Sequence, residues 1–267
     1  MKNNKILVLL DLNDQSLNVL KSATRMAQII GAEVEIFHVH KPTRVVKIES
    51  NLSAVGEIKD HFVEVENELK NMVNTILQNS DVKINHIHVF GNIKNEIESH
   101  INKTNPDVIV VGKKASRTPS FIGDNMLSFL LKKFQGTMMV ADHENVLNAQ
   151  SKLKLGLFNS KNIDSKNHFM EALISNSESP ISTYEIANRE GKINNVNEQD
   201  GQKIVSYVFE DNDQAMQTIS NYLGKNKVNL ILINRKLKTA NKGQEISISK
   251  LNDLVQTLRV PVLLSND

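Results

Sequence analysis

Short apolar runs alternate along the chain with longer stretches in which apolar residues recur every three or four positions. The run ILVLL at residues 6–10 is followed by a helical pattern that ends at Gly31, a predicted helix C-cap, and then by the run VEIFHV at 34–39. Apolar runs rich in β-branched residues are typical of strands buried on both faces, and the longer period is typical of amphipathic helices. The pattern therefore predicts a parallel sheet with helices on both faces.

The same order of elements occurs a second time. Residues 152–188 repeat the strand, helix, strand order of residues 5–40, and residues 202–234 repeat that of residues 84–112. Such repetition indicates two related units along the chain. In each unit a ligand is expected outside the carboxyl ends of the strands, at the point where the winding direction of the sheet reverses.

Each unit closes with a helix and an apolar strand, which is TMMVA at residues 137–141 in the first unit and VPVLL at 260–264 in the second. The polar residues 143–152 between the units are the predicted linker. We therefore predict an α/β protein with two tandem, doubly wound, parallel five-stranded sheets, in domains at residues 1–142 and 152–267.

Composition narrows the classes of function. The chain of 267 residues is long enough for two domains, each with its own core. A net charge of +2 gives no overall field that would recruit nucleic acid. The absence of cysteine excludes disulfides, thiolate catalysis and cysteine-ligated metals. Because no apolar run is long enough for a signal-peptide core or a membrane span, we expect a cytoplasmic protein with no membrane partner.

Signals for catalysis or metal binding are weak. The sequence has no nucleophile elbow, zinc-protease motif, Walker loop or dinucleotide fingerprint, so it does not predict an enzyme. His38 and His40 share one face of the second predicted strand, and His86 and His88 share one face of the third. Four imidazoles on neighbouring strands would suit a metal, but hydrogen bonding beneath a helix is the commoner outcome in a covered sheet.

The segments ILVLLDLNDQSLNVLKSATRMAQIIGAEVEIFHVH, VFGNIKNEIESHINKTNPDVIVVG and TMMVAD, together with NLILIN and VPVLL in the second unit, resemble the universal stress protein family in a tandem two-domain form. The resemblance covers nearly the whole chain and implies Rossmann-like domains and a role in stress response. Domains of that family pair beside their closing strands, which implies that TMMVA and VPVLL meet as the edges of an intramolecular pseudo-dimer. A homodimer of the whole chain stays open.

The family's phosphate loop is only partly matched here. Nucleotide-binding members carry Gly, two residues, Gly, nine residues, Gly and then Ser or Thr after the fourth strand. Gly112 matches the first position, but Ala115 replaces the second glycine, only seven residues separate it from Gly123, and Asp124 replaces the hydroxyl residue. A carboxylate at the start of a helix that begins at Asn125 caps that helix and repels phosphate.

Two hypotheses for function follow. The favoured one is a non-catalytic stress-response protein with no cofactor, which acts on an unknown protein partner. The alternative is a switch that binds ATP or another adenine nucleotide in the first domain, with residues 41–55 as a lid. The resemblance implies that its site would comprise an acidic residue for the sugar or base, a backbone contact for adenine, and the loop and helix start that follow the fourth strand: Asp11, Val39, Gly112, Lys113, Gly123 and Asn125.

The second unit departs further from the pattern. By sequence order, Asn159 stands in the place of Asp11, Glu210 in that of Gly91, and Asn234 in that of Gly112. A basic loop follows and offers a surface for an anion or an acidic partner, through Arg235, Lys236, Lys238 and Lys242.

Overall fold

Strands and helices alternate through most of the chain. The computed structural model describes residues 4–40, 51–113, 126–159, 168–187, 195–199, 202–235 and 246–266. The elements of the first half are β1 (Asn4–Leu9), α1 (Ser16–Ile30), β2 (Ala32–His40), α2 (Asn51–Leu77), β3 (Ile84–Phe90), α3 (Ile93–Thr104), β4 (Val108–Gly112), α4 (Met126–Lys133) and β5 (Thr137–Ala141). Those of the second half are β6 (Leu155–Phe158), α5 (His168–Ser175), β7 (Ile181–Ala187), β8 (Asn195–Gln199), β9 (Gln202–Glu210), α6 (Ala215–Lys225), β10 (Leu230–Asn234), α7 (Ile248–Thr257) and β11 (Val262–Ser265).

The described strands form one continuous sheet of eleven, in the order β3-β2-β1-β4-β5-β11-β10-β6-β7-β9-β8. Within each half the strands pair in parallel, with the exception of the β8–β9 hairpin. This confirms the α/β class and the parallel pairing. The two sheets are not separate, however, because β5 and β11 pair antiparallel, with Val140 opposite Val262 and Met138 opposite Leu264. The pairing satisfies backbone groups that two separate sheets would expose at their edges.

Helices cover both faces of the sheet. One face packs on α1, α2 and α5, and the other packs on α3, α4, α6 and α7. In α1 the apolar period buries Leu20, Ala23 and Met26, and the helix ends at Gly31 with a φ of 63°. The backbone N–H of Gly31 donates to the carbonyl of Ala27, so the predicted C-cap is confirmed.

The helix α2 presents most of its predicted apolar side chains to the core. Val65, Leu69, Val73 and Ile76 are buried against the first half of the sheet. Phe62 belongs to the same helical period but is 41% exposed, because the sheet beneath it carries histidine side chains instead of aliphatic ones. Of the predicted lid at residues 41–55, residues 41–50 lie outside the described residues. Residues 51–55 belong to α2.

The second half has a sixth strand that the sequence pattern did not predict. β8 pairs antiparallel with β9 at the sheet edge, with Gln199 opposite Gln202. Asp200 and Gly201 stand between the two strands, and this residue pair favours two-residue hairpins. The strand NVNEQ contains only one apolar residue, so its apolar pattern indicated a loop.

Candidate nucleotide-binding site

The strand order β2-β1-β4 brings three of the predicted site residues to one edge of the sheet. Asp11 follows β1, Val39 is close to the end of β2, and Gly112 ends β4. The winding direction reverses between β1 and β4, so this edge, here called the mouth, is where a ligand is expected. The predicted residues Gly123 and Asn125 lie outside the described residues.

The loop after β1 holds Asp11 through local hydrogen bonds. Asn13 Nδ2 donates to Asp11 Oδ1 over 2.8 Å, and Asn13 Oδ1 accepts from the backbone N–H of Gln15 over 2.8 Å. Leu12 between them has a φ of 49°, a left-handed conformation that is uncommon for leucine. Asp11 is partly buried and has an acceptor oxygen, Oδ2, with no hydrogen bond among the described residues, so it suits a hydroxyl or amino group at the mouth.

Gly112 is needed for packing within the protein itself. A Cβ at this position would stand 2.9 Å from Cγ2 of Val19 on α1 and 3.4 Å from Cε1 of His143. The linker residue His143 contacts the same strand end, where its Nε2 donates to the carbonyl of Lys113. The glycine therefore has a structural reason that does not involve phosphate.

The ammonium group of Lys113 points into the contact between the two halves. Its Nζ donates to Asp142 Oδ2 over 2.9 Å, to the carbonyl of Val260 over 3.0 Å and also to the carbonyl of Leu258. Burial lowers the pKa of Lys113. Burial opposes the charge of Asp142 as well, but the ammonium and the N–H of Asn145 hold the pKa of Asp142 below its ordinary value. The hydrogen bonds of the Lys113 ammonium are thus made within the protein.

Arg235 makes the matching contact in the opposite direction. Its Nη1 donates to the carbonyl of Phe134 over 2.7 Å and its Nη2 to that of Gly136 over 2.6 Å. Burial lowers the pKa of Arg235 to about 10. Two nitrogens of the Arg235 guanidinium are therefore engaged by carbonyls of the first half. The other predicted members of that loop, Lys236, Lys238 and Lys242, lie outside the described residues.

Lys113 and Arg235 occupy equivalent places in the two halves. Each follows the last residue of its strand, β4 or β10, and each donates its backbone N–H to the closing strand of its own half. Each side chain then reaches two carbonyls just before the closing strand of the other half. We call the β5–β11 pair with these two cations the seam. Two amides extend it, since Asn145 Nδ2 donates to Arg259 O and Asn266 Nδ2 donates to Gln135 O, each over 2.6 Å.

In the second half, the side chain of Asn159 bonds to a backbone group at the carboxyl ends of the strands. Asn159 Oδ1 accepts from the backbone N–H of Ile186 over 2.9 Å. Phe158 pairs with Tyr184, two residues before Ile186, and Leu9 pairs with Phe37, two residues before Val39. Ile186 and Val39 are therefore equivalent positions. By this register Asn159 matches Leu10, and the predicted match to Asp11 was one residue out. Leu10 has no side-chain acceptor, so it cannot accept a hydrogen bond from the backbone N–H of Val39 in this way.

Register also corrects the second predicted match. Phe37 lies opposite Ile87 and the equivalent Tyr184 lies opposite Tyr207, so Glu210 matches Phe90 and not Gly91. The match of Asn234 to Gly112 agrees with the register. The sequences of two degenerate halves can be matched with a one-residue slip, which the ladder of backbone hydrogen bonds does not allow.

A chain of hydrogen-bonded imidazoles lies beside the mouth, under α2. His40 Nε2 is 2.9 Å from His88 Nδ1, and His40 Nδ1 is 3.3 Å from His61 Nε2. On the same face His38 Nδ1 is 2.8 Å from the carbonyl of Leu10. A neutral imidazole has one donor and one acceptor nitrogen, so His40 donates to one neighbour and accepts from the other.

Glu66 on α2 ends this chain. Its Oε2 is 3.2 Å from His86 Nε2 and 3.1 Å from His88 Nε2, while its Oε1 lies 2.9 Å from Lys70 Nζ. We call this group the histidine cluster: His38, His40, His61, His86, His88 and Glu66. Within the part of the chain that the structure describes, no three or more such side chains are arranged to hold a metal ion, so the cluster is a hydrogen-bonded network.

Three imidazoles of the cluster favour the neutral form. Burial and then the neighbouring His38 and His88 lower the pKa of His40 to about 3. Burial also lowers the pKa of His38 and of His88. Hydrogen bonds from Lys70 and then His86 lower the pKa of Glu66 to about 2.

A family model described as the universal stress protein family matches residues 2–135. The chain belongs to this family. The universal stress protein YxiE of Bacillus subtilis (strain 168) is 31% identical over 119 residues, which are 42% of this chain and 79% of that protein. The resemblance noted in the sequence is therefore confirmed.

Solved structures of universal stress proteins share the fold over nearly the full chain. One from Archaeoglobus fulgidus DSM 4304 has a TM-score of 0.67 at 14% identity and covers 98% of this chain and 96% of that one. A putative one from Pseudomonas aeruginosa UCBPP-PA14 has a TM-score of 0.56 at 11% identity, with 98% and 93% covered. At this identity the likeness shows the fold, which is the Rossmann-like universal stress fold.

Sequence reasoning missed two residues that contact the predicted site residue Lys113. Asp142 and His143 follow a closing strand and carried no recognised motif, although Asp142 is the partner of Lys113. Asn159 was noticed but assigned to the wrong position. Within the described ranges, no helix combines the length and apolarity that a membrane span requires.

We expect Gly112→Ala to destabilise the protein through packing. The added methyl group meets Val19, a short and stiff side chain, and overpacking of this kind costs about 1–3 kcal/mol. Urea denaturation of Gly112→Ala, Val19→Ala and the double variant forms a mutant cycle. Partial rescue by Val19→Ala, so that the double variant is more stable than the sum of the two losses, is the expected result. Simple additivity would contradict the packing explanation.

Proposed function

We propose that this universal stress protein is a non-catalytic stress-response protein that acts through a protein partner and does not depend on a nucleotide. Family membership supports the stress-response role. The observation that carries the rest is the position of the Lys113 ammonium, which is engaged by Asp142 and by carbonyls of the second half. The cytoplasmic location stays a prediction.

The energetics of Lys113 argue against tight triphosphate binding. To reach a phosphate, its ammonium would leave a buried ion pair, and breaking such a pair costs about 3–5 kcal/mol. Micromolar affinity corresponds to only about 8 kcal/mol in total. These magnitudes favour a role for Lys113 in joining the two halves over a role in holding a ligand.

Exposed apolar side chains near the start of α2 support the protein-interaction part of the proposal. Ile58, Phe62 and Val63 are 38%, 41% and 50% exposed, respectively. Ile58 and Phe62 are four residues apart and so share one side of the helix. Adjoining exposed apolar side chains are a feature of protein-binding surfaces.

A photo-cross-linking residue introduced at Val63 should capture a protein partner in stressed cells. The matched control carries the same residue at Lys103, which is exposed on α3. We expect a discrete cross-linked species from position 63 that is absent from position 103 and is lost when Ile58→Ser is added. Equal labelling from both positions would contradict a specific surface on α2.

An adenine-nucleotide switch in the first half is the second candidate. It is favoured by a difference between the two halves at the position expected to contact adenine. In the second half, Asn159 accepts a hydrogen bond from the backbone N–H of Ile186, whereas Leu10 offers no acceptor to Val39. Asp11 retains a carboxylate oxygen for a sugar hydroxyl. On this alternative, Asp11, Val39 and Gly112 would form the described part of the site.

Titration with ATP and magnesium distinguishes the two candidates. Under the favoured proposal, millimolar ATP with magnesium leaves the Tm unchanged and no phosphate is released. A saturable rise in Tm that Asp11→Ala abolishes would instead establish the switch, since a ligand that binds only the folded state stabilises it. Lys113→Met serves as the matched variant. If Lys113 binds the phosphate of ATP, this substitution weakens ATP binding; if Lys113 only joins the two halves, the affinity for ATP is unchanged.

A further inference from the structure

A cavity of about 330 Å³ lies away from the mouth, between α1, the end of α2 and the linker. It is distinct from the candidate nucleotide site, since none of Asp11, Val39 and Gly112 lines it. Its volume is at the lower end of the range for small-molecule sites. The residues that line it are Asn18, Lys21, Thr24, Arg25, Gln28, Thr75, Ile76, Asn79, Ser80, Val146, Asn148, Ala149 and Gln150.

The charge of the cavity is entirely positive. Lys21 and Arg25 are four residues apart on α1 and so stand on the same side of the helix. No aspartate or glutamate is among the lining residues, and neither cation forms an ion pair with another described residue. Two unpaired cations at one cavity are suited to an anionic group.

Arg25 also has a donor without an acceptor. Its Nε is buried and has no hydrogen-bond partner among the described residues. Its Nη1 makes only a long contact of 3.4 Å with Gln28 Oε1. Buried donors are nearly always paired in native proteins, so this guanidinium indicates a missing acceptor.

The rest of the lining suits a hydroxyl-rich molecule. Five side-chain amides and three hydroxyls surround the cations, and an amide offers both donors and acceptors to a sugar hydroxyl. No aromatic side chain is among the lining residues, so the cavity cannot stack a base.

We propose that this cavity binds a small phosphorylated polyol of the size of a sugar phosphate, with Lys21 and Arg25 on the phosphate and the amides on the hydroxyls. Such a ligand contacts α1, α2 and the linker together. Binding would therefore fasten the linker between the two halves to the helices of the first half. This site is separate from the candidate nucleotide site at the mouth and from the exposed apolar residues of α2 on which the proposed function rests.

Calorimetry and thermal shift with ribose 5-phosphate, glucose 6-phosphate and glycerol 3-phosphate test the proposal, with ribose, glucose, glycerol and inorganic phosphate as comparisons. We expect at least one phosphorylated polyol to bind saturably and to raise the Tm, and to bind more tightly than its unphosphorylated form and than inorganic phosphate. Lys21→Gln and Arg25→Gln should each weaken that binding by about tenfold or more, since each removes a charged hydrogen bond. Lys103→Gln makes the same change in charge on α3 and should leave binding unaltered.

Three outcomes would overturn the proposal. One is no saturable binding of any phosphorylated probe. Another is equal affinity for inorganic phosphate, which would reduce the cavity to a simple anion site. The third is unchanged affinity in Lys21→Gln, an exposed position at which the fold does not depend on the side chain. Should Arg25→Gln fail to fold, Lys21→Gln alone decides.

Discussion

Lys113→Met will lower the free energy of unfolding by about 3–5 kcal/mol, because it leaves Asp142 charged and buried without its partner. The change also leaves the carbonyls of Leu258 and Val260 without this donor. Urea denaturation followed by circular dichroism measures the loss. Lys133→Met, which removes an exposed ion pair with Glu98, is the matched control and should cost about 1 kcal/mol or less.

Arg235, the other cation of the seam, should also contribute to the free energy of unfolding. Arg235→Met removes two charge-assisted hydrogen bonds across the same boundary and should also destabilise the protein, by about 2–4 kcal/mol. Combined with Lys113→Met, it should make the two halves unfold in separate transitions, because their contact is then weakened from both sides. If Lys113→Met were as mild as the Lys133 control, the seam could not be an important connection.

Acidification should destabilise the protein from about pH 6.5 downward, with the histidine cluster as the main cause. His38, His40 and His88 have a lowered pKa in the folded state, so between that pKa and the ordinary value of 6.5 the unfolded chain binds more protons. Protons then favour unfolding, and stability that is complete above 6.5 is lost as the pH falls towards the folded value. Each such histidine contributes a slope of about 1.4 kcal/mol per pH unit within its window.

The Glu66 carboxylate of the cluster acts at lower pH. Glu66 has a pKa lowered to about 2, so its contribution is present above its ordinary value of 4.5 and is lost below it. The carboxylate therefore adds to the acid sensitivity only after the histidines have begun to act.

His40→Phe should remove one proton-linked step and so flatten the dependence of stability on pH between 6.5 and 5. Phenylalanine keeps a ring of similar size beside Phe90, whose centroid lies 4.5 Å from that of His40. Urea denaturation at a series of pH values measures the slope. His168→Phe, at an exposed position on α5, is the control and should leave the slope unchanged; an unaltered slope in His40→Phe would show that the cluster is not the cause.

The parts of the fold that depend on neighbouring residues were predictable. The helix α1, its end at Gly31 and the core side of α2 all follow from apolar periodicity and from the conformational freedom of glycine. These features are encoded within windows of about 10–20 residues, over which period and turn chemistry act directly.

The partners of the site residues were not predictable, because they are distant along the chain. Lys113 is separated by 145 residues from Leu258, and Arg235 by 101 residues from Phe134. A lysine after a parallel strand has the same local pattern whether it meets a phosphate or a carbonyl. The antiparallel pairing of β5 with β11 brings the second half within its reach and settles the matter.

The sequence alone therefore defined an α/β chain of the universal stress type, with Asp11, Val39 and Gly112 at one edge of its first half. The tertiary structure decided that the closing strands join one sheet and that Lys113 and Arg235 connect the halves. It also decided that Asn159 bonds to the backbone of Ile186. The reason is that periodicity specifies which side of an element is buried, whereas a charged side chain takes the partner that the closed structure places nearest.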